Sequence, residues 1–268
     1  MSLKLPNSDE SFSYYLPHKK LYQYISYYSI QHNSFSSISP VFIPDLGGSI
    51  IISLGRKGFD MVVWGPFNRL TAIENGPKDI SVQFFIEFQP GGLSRFILPN
   101  SQEILNKKVS LRELDNDFHF SLRQIFERNF HSADQIIFCL DHFFLNLLDK
   151  RRDYLVNGRN ILCSLQDFMA MGTMEDLSKD VHYSTRHINR YLNTLTGVSG
   201  KEYMKIKRFN KAVRLLKESN STIEQISDSL CYYDTAHFIH DFSHLSEISP
   251  MLFRENKSDF YNETLKIF

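Results

Sequence analysis

The spacing of apolar residues changes twice along this chain. Between Val41 and about Leu98 they come in short β-branched or aromatic runs: Val41-Phe42-Ile43, Ser49 to Leu54, Asp60 to Trp64 and Ile80 to Phe88. Turn-forming stretches separate the runs, namely Pro44-Asp45-Leu46-Gly47-Gly48, Gly55-Arg56-Lys57-Gly58, Gly65-Pro66 and Gln89-Pro90-Gly91-Gly92. Short strands punctuated by Gly and Pro predict a small antiparallel barrel or sandwich. Leu16 to Ile30, rich in tyrosine, fits a strand or a helix equally well. From about Ser101 the period becomes helical. Leu122, Ile125 and Phe126 share a face, and Ile136, Ile137, Leu140, Phe143, Phe144, Leu147 and Leu148 form an i, i+3, i+4, i+7 stripe. That second helix opens at Ser132 and closes on Lys150-Arg151-Arg152, cations suited to a helix C-terminus. Its stripe is wide for a surface helix. It predicts packing on the strands, with a dimer seam as the alternative for part of it. Asp153 to Gly158 reads as a linker, and everything from Arg159 onward reads as helix.

The helical third contains an internal repeat. Thr173-Met174-Glu175-Asp176-Leu177-Ser178 matches Thr222-Ile223-Glu224-Gln225-Ile226-Ser227, and Val181 and Tyr183 match Leu230 and Tyr232, all at an offset of 49. The offset then becomes 50: Ile188 faces Phe238, Leu192 faces Phe242, Leu195 faces Leu245, and Val198-Ser199 faces Ile248-Ser249. Each copy predicts a short helix, a turn near His182-Tyr183 or Cys231-Tyr232, and a second helix near Ser184 to Leu195 or Asp234 to Leu245. Capping boxes are expected at Thr173 with Asp176 and at Ser221 with Glu224. Tyr203, Ile206, Phe209, Val213 and Leu216 mark one face of a long helix joining the copies. Two helix-turn-helix units on one rigid helix suit successive major grooves of a duplex.

Composition first argues against this. The 268 residues carry 30 Lys+Arg and 30 Asp+Glu, a net charge of zero, so the usual flag for nucleic acid is absent on average. The zero is a cancellation. Lys179 to Lys217 hold ten basic residues against Asp180 and Glu202, whereas Glu218 to Phe268 hold three basic residues against nine acidic ones. The dense stripe can neutralise several phosphates. The 42% apolar content excludes a disordered chain. Cys139, Cys163 and Cys231 are scattered and suit free thiols in a reducing compartment. No secretory signal or membrane-length apolar run is visible, so a cytoplasmic location is expected.

Residues 160–255 resemble the DNA-binding domain of the AraC/XylS family of bacterial transcriptional regulators. The resemblance rests on Asp176-Leu177-Ser178, on Tyr183-Ser184-x-Arg186-x-Ile188-x-Arg190, and on Gly197-x-Ser199. It continues through Tyr203, Arg208, Ala212 and Leu215-Leu216, then Ile223-x-x-Ile226-Ser227. It ends with Asp234-x-x-x-Phe238-x-x-x-Phe242 and Ile248-Ser249-Pro250-x-x-x-Arg254. This resemblance implies that the helix from Ser184 is the first recognition helix, with Arg186, Asn189 and Arg190 nearest base edges. Arginine forks on guanine and asparagine on adenine are the usual readers, although Arg190 fits a phosphate contact as well. Ser184 serves as N-cap and phosphate ligand. DNA contact is also assigned to Thr185, His187, Lys207 and Arg208, and in the second unit to Tyr233, Thr235, His237 and His240.

The second unit departs from the family pattern. Cys231-Tyr232 stand where the family has Gly-Phe, and Ser243-His244 and Glu247 stand where it has basic residues and Gly. Asp234 and Asp241 would repel phosphate, which predicts a weaker DNA contact, pH-sensitive through its histidines. His237, His240, His244 and Asp241 share a face, but the resemblance implies surface histidines in place of a metal site.

Residues 10–150 more loosely resemble the sensor domain that precedes such DNA-binding domains, through Ile43-Pro44-Asp45, Gly48, Gly65-Pro66, Glu87 to Gly92 and Val109-x-Leu111. The expected architecture is α+β. Residues 1–152 form a cupin-like β-barrel or sandwich with following helices, 153–158 a linker, 159–257 the all-α domain with two helix-turn-helix units joined by a long helix, and 258–268 a tail. A barrel pocket lined by Trp64, Phe67, Phe84 and Phe88 would suit a small apolar effector. No H-x-H pair, phosphate loop or nucleophile elbow is present, so neither catalysis nor a cofactor is expected. The partners expected are double-stranded promoter DNA, a small-molecule effector, RNA polymerase and a second copy of the chain. The rival expectation is a degenerate second unit that works through protein contacts.

Overall fold

A computed structural model describes residues 12–31, 41–56, 58–72, 80–97, 101–150, 173–255 and 260–261. The expected linker 153–158, Cys163 and most of the tail lie outside the described residues. The strand-rich part holds β1 (Phe12–Tyr15), β2 (Ile25–Gln31), β3 (Val41–Phe42), β4 (Ser49–Gly55), β5 (Gly58–Trp64), β6 (Thr71–Ala72), β7 (Ile80–Phe88) and β8 (Lys108–Ser110). The ambiguous tyrosine-rich stretch divides: a 3-10 turn at Lys19–Leu21 precedes strand β2. Six strands form one antiparallel sheet in the order β1-β2-β7-β4-β5-β8, while β3 pairs with β6 and, in parallel, with β9 (Phe260–Tyr261).

The closed barrel is not formed. Among the described residues β1 and β8 are outer strands with one neighbour each, so the large sheet stays open. Its two faces solve the burial problem differently. Tyr28, Ile30, Ile50, Ile52, Met61, Val63, Phe84, Ile86 and Phe88 point to one side and pack under helices. These are α1 (Leu93–Phe96), α2 (Ser101–Ile104), α3 (Leu111–Leu114), α4 (Asn116–Asn129) and α5 (Ala133–Lys150). Period-2 alternation places Tyr27, Ser29, Gln31, Ser49, Ser53 and Glu87 on the opposite face, where they too are buried. The α5 stripe meets the sheet through Ile136, Ile137, Leu140 and Phe144, while Phe138 is off the stripe and 61% exposed. The four aromatics expected to share a pocket are separated by this alternation. Phe84 packs on Phe126 and Phe88 on Phe144, whereas Trp64 stacks on Phe67 at 5.4 Å and meets Phe42.

The C-terminal part is α6 (Met174–Val181), α7 (Thr185–Thr196), α8 (Gly200–Glu218), α9 (Ile223–Ser229), α10 (Thr235–Ser246) and α11 (Pro250–Glu255). Capping fixes both short helices. Thr173 and Asp176 form the first box as expected; the second is Thr222 with Gln225, one residue later than Ser221 with Glu224. The shift restores the offset of the repeat, because Thr222 is the repeat partner of Thr173. The core gathers on α8: Tyr203, Ile206, Phe209, Val213 and Leu216 contact Ile188, Leu192, Phe238 and Phe242 from both units.

The repeat also exposes a flaw in the second copy. α7 ends on Gly197 at φ +80°, and the equivalent end of α10 is Glu247 at φ +59°. Glycine adopts the left-handed region without penalty, whereas a side chain there costs about 1–2 kcal/mol. Glu247→Gly is therefore expected to raise the thermal midpoint by a few degrees, for about 1 kcal/mol of relieved strain. A lower midpoint by differential scanning calorimetry would show that the Glu247 side chain earns more than the strain costs.

The two halves are joined by more than chain connectivity. Ile43 and Leu46 are buried in the C-terminal core, with Leu70 and Leu105 packed against it. Ser101 Oγ donates to the Leu195 carbonyl (2.7 Å), with Ser94 Oγ at 3.2 Å from the same oxygen. A helix leaves its last carbonyls without intrahelical partners, so the N-terminal domain caps the C-terminus of α7. Asn210 Nδ2 donates to the Pro44 carbonyl (3.1 Å), and Asn68 Nδ2 donates to Glu202 Oε1.

Candidate nucleic-acid interface

The N-terminal half of α7 is the polar end of the first unit. Ser184 is its N-cap, extended at φ −62°, ψ 149°, and its Oγ accepts from the His187 amide at 3.3 Å. Thr185 opens the helix half-buried, and Arg186 and Arg190 are exposed one turn apart. Ile188 and Leu192, by contrast, are fully buried. The 3.6-residue period thus turns the arginines outward while anchoring the helix from behind. His187 is half-buried between two rings: 4.8 Å from Tyr183 and 6.3 Å from Tyr191, nearly parallel to both.

Asn189 is turned inward. Its Nδ2 donates to the Thr185 carbonyl (2.9 Å) and its Oδ1 accepts from the Gly200 amide (2.8 Å). A Cβ at Gly200 would lie 2.8 Å from Asn189 Oδ1 and 2.7 Å from Met174 Cε, so both side chains would have to shift to admit one. The amide group expected at a base edge instead ties the recognition helix to the start of α8.

Several cations of the basic stripe are held within the protein. Lys205 pairs with Asp241 (3.1 Å), Arg214 with Glu218 (2.9 Å) and Lys179 with Asp176 (3.7 Å). Arg208 lies over the Tyr232 ring at 5.1 Å and Lys217 over Phe253 at 5.9 Å. Such cation–π contacts fasten α8 to the second unit. Burial pushes the Tyr232 hydroxyl up to about 12, against the opposing pull of Arg208, and drives the buried Tyr203 hydroxyl well above its ordinary value. Lys207 is half-buried on the same helix.

In the second unit the two carboxylates are occupied. Asp234 caps α10, accepting from the His237 amide at 2.6 Å. Asp241 is turned in against Lys205, its side chain only 14% exposed, with His237 Nε2 at 3.8 Å and His240 Nδ1 at 3.9 Å. Asp241 is thus neutralised by Lys205, whereas Asp234 remains an exposed carboxylate at the start of α10. Thr235 is half-buried; Tyr233 is 94% exposed, and His237 and His240 are also exposed. Among the described residues no group of three or more His, Cys, Asp or Glu is arranged to hold a metal ion. The sequence reading missed Tyr183 and Tyr191, whose i, i+8 spacing around His187 was the available signal. It also missed Lys205, whose pairing joins residues 36 apart in the chain and leaves no local signature.

With two short helix-turn-helix units placed on one long helix, comparison with known proteins becomes decisive for the C-terminal part. The helix-turn-helix domain family matches residues 177–256. Residues 177–256 are a helix-turn-helix domain. The chain is 33% identical over 86 residues to the uncharacterized HTH-type transcriptional regulator YfiF of Bacillus subtilis, covering 32% of this chain and 27% of that protein. It is 29% identical over 83 residues to the uncharacterized HTH-type transcriptional regulator YisR of the same organism, covering 31% and 29%. The chain spans less than a third of the length of these curated relatives. ToxT from Vibrio cholerae O395 is similar over 87% of this chain and 92% of that one, with 14% identity and a TM-score of 0.41. The DNA-binding domain of AdpA, solved with a target DNA, covers 37% of this chain and 89% of its own at 19% identity and a TM-score of 0.33.

Proposed function

We propose that the protein is a sequence-specific DNA-binding transcription regulator whose N-terminal domain senses an effector or mediates dimerisation. The carrying observation is the outward pair Arg186 and Arg190 on the first recognition helix, backed by a second unit on the same rigid helix. The N-terminal half of α7 enters the major groove, where Arg186 and Arg190 fork onto guanine edges or hold phosphates. Ser184 and Thr185 stand at the helix N-terminus, where a phosphate is favoured. Tyr233, Thr235, His237 and His240 approach a neighbouring groove with polar and aromatic contacts and few charges. Most of the affinity then resides in α7 and α8.

Regulation follows from the caps between the halves. An effector or partner that repacks the N-terminal domain alters Ser101 and Ser94 at the C-terminus of α7, which changes how the recognition helix is presented. Promoter DNA is the primary partner, with RNA polymerase and a second copy of the chain as protein partners in the cytoplasm. Among the described residues no helix is long and apolar enough to cross a membrane.

Footprinting on genomic fragments, followed by salt titration on a protected site, tests this reading. Affinity should fall linearly in log–log form with a slope of about −0.9 per phosphate neutralised. Arg186→Ala should weaken binding far more than His240→Ala. No protected site at low salt would overturn the regulator reading in favour of a second one, action through protein contacts. That second reading is favoured by the exposed Tyr233, Ile239, Met251 and Leu252 on the acidic unit.

A further inference from the structure

Tyr183, His187 and Tyr191 stand at i, i+4 and i+8, so they form one row along α7. Their rings are nearly parallel, inclined by 14° between Tyr183 and His187 and by 12° between His187 and Tyr191. Both ends of the row are fixed. At one end the Tyr183 carbonyl accepts from Ser178 Oγ at 2.6 Å, which ties it to α6. At the other, the Tyr191 hydroxyl is buried without a hydrogen-bond partner among the described residues; burial pushes it up to about 12, against the pull of the Arg95 guanidinium of the N-terminal domain. Arg95 is itself buried, and it donates to the Leu148 carbonyl near the end of α5 (3.3 Å).

From the middle of this row His187 touches the residue most exposed to DNA. Its Nδ1 lies 3.3 Å from Arg190 Nη2. A guanidinium only donates, so Nδ1 is the acceptor in this contact. An exposed arginine otherwise samples many rotamers, and each groove contact must order it. The imidazole can restrict that search only because flanking rings hold its own plane.

We infer that His187 is a positioning residue for Arg190, clamped by Tyr183 and Tyr191, and that it acts on DNA through Arg190 in place of touching it. The inference rests on the reading above that Arg190 contacts DNA.

The test is a double-mutant cycle in the full-length protein. The probe is a duplex selected in vitro by the wild-type protein, together with a set in which each base pair is replaced. His187→Phe keeps the stack and removes the acceptor; His187→Gln keeps an acceptor and removes the ring. Arg190→Ala completes the cycle, and a circular dichroism melt of each variant reports folding. His187→Phe is expected to weaken binding about five- to tenfold, relax the same base-pair preference as Arg190→Ala, and add nothing in the Arg190→Ala background. His187→Gln should restore part of that preference. Full additivity of His187→Phe with Arg190→Ala, or uniform weakening with the preference intact, would overturn the inference. If Arg190→Ala alone changes neither affinity nor preference, the reading of Arg190 fails first, and the inference with it.

Discussion

Phe242→Ala is expected to destabilise the C-terminal domain by about 3–5 kcal/mol, the usual cost of emptying a fully buried aromatic site. Phe242 is 1% exposed and sits where α8, α10 and α11 meet. Its ring lies 4.9 Å from Phe209, 5.5 Å from Phe253 and 5.8 Å from Phe238, so three rings lose a shared neighbour. The same residue lies on α10, so the loss of stability would also disturb the exposed face of that helix. Urea unfolding measures the effect with two probes. Ellipticity at 222 nm follows the helices of both domains, while the one tryptophan, Trp64, reports the strand-rich domain alone, so a loss seen in ellipticity and not in Trp64 fluorescence belongs to the C-terminal helices. The ellipticity midpoint should fall sharply and the Trp64 midpoint less. A loss below about 1 kcal/mol would mean that the core collapses onto the cavity and that Phe242 is no keystone.

Arg190→Ala is expected to weaken binding to a selected site about 10- to 100-fold, the range for losing one bidentate base contact. Two patterns separate the roles left open for it. A base fork predicts relaxed preference at one or two adjacent base pairs with the salt slope nearly unchanged. A phosphate contact predicts uniform weakening and a slope smaller by about 1. Both patterns carry a loss of affinity, so unchanged binding would remove Arg190 from the interface. The contrast with Asn189→Ala is informative, because that amide is spent on the Thr185 carbonyl and the Gly200 amide. Its removal should lower thermal stability and weaken all sequences alike.

The candidate site was legible in the sequence wherever local pattern decides. Capping residues, turn positions and the period of Ile188, Leu192, Phe238 and Phe242 are set by interactions within four residues. Hence α7, α8 and α10 lie within a residue or two of where the pattern places them. The offset of the repeat even locates the slip at Ser221, because Thr222 is the repeat partner of Thr173. Side-chain commitments were harder to read. Asn189, Asp234 and Asp241 look alike in sequence, as polar residues on recognition helices. In the fold one ties α7 to α8, one caps α10 and one pairs with Lys205. Of the acidic residues that argued against a DNA contact in the second unit, Asp241 is thereby neutralised while Asp234 stays exposed, and several cations that argued for the first unit are engaged as well.

The strand-rich domain shows the same division. Strand positions follow from the Gly and Pro turns, yet strand order depends on contacts across as many as 60 residues, such as β2 with β7. Side-chain alternation then sends Phe84 and Phe88 to one face and Trp64 to the other, so an aromatic composition that suggested one pocket became two packing layers.

By itself, the sequence determined that the C-terminal third is a duplicated helix-turn-helix on one long helix, with its positive charge concentrated between Lys179 and Lys217. Those features are written in periodicity, caps and repeat spacing, which act locally. Only the tertiary structure decided that the large sheet stays open, that Ser101 caps α7 from the other domain, and which charges remain on the surface. Such outcomes depend on partners distant in the chain, and residue type alone does not say whether a carboxylate will meet a lysine, a helix end or water.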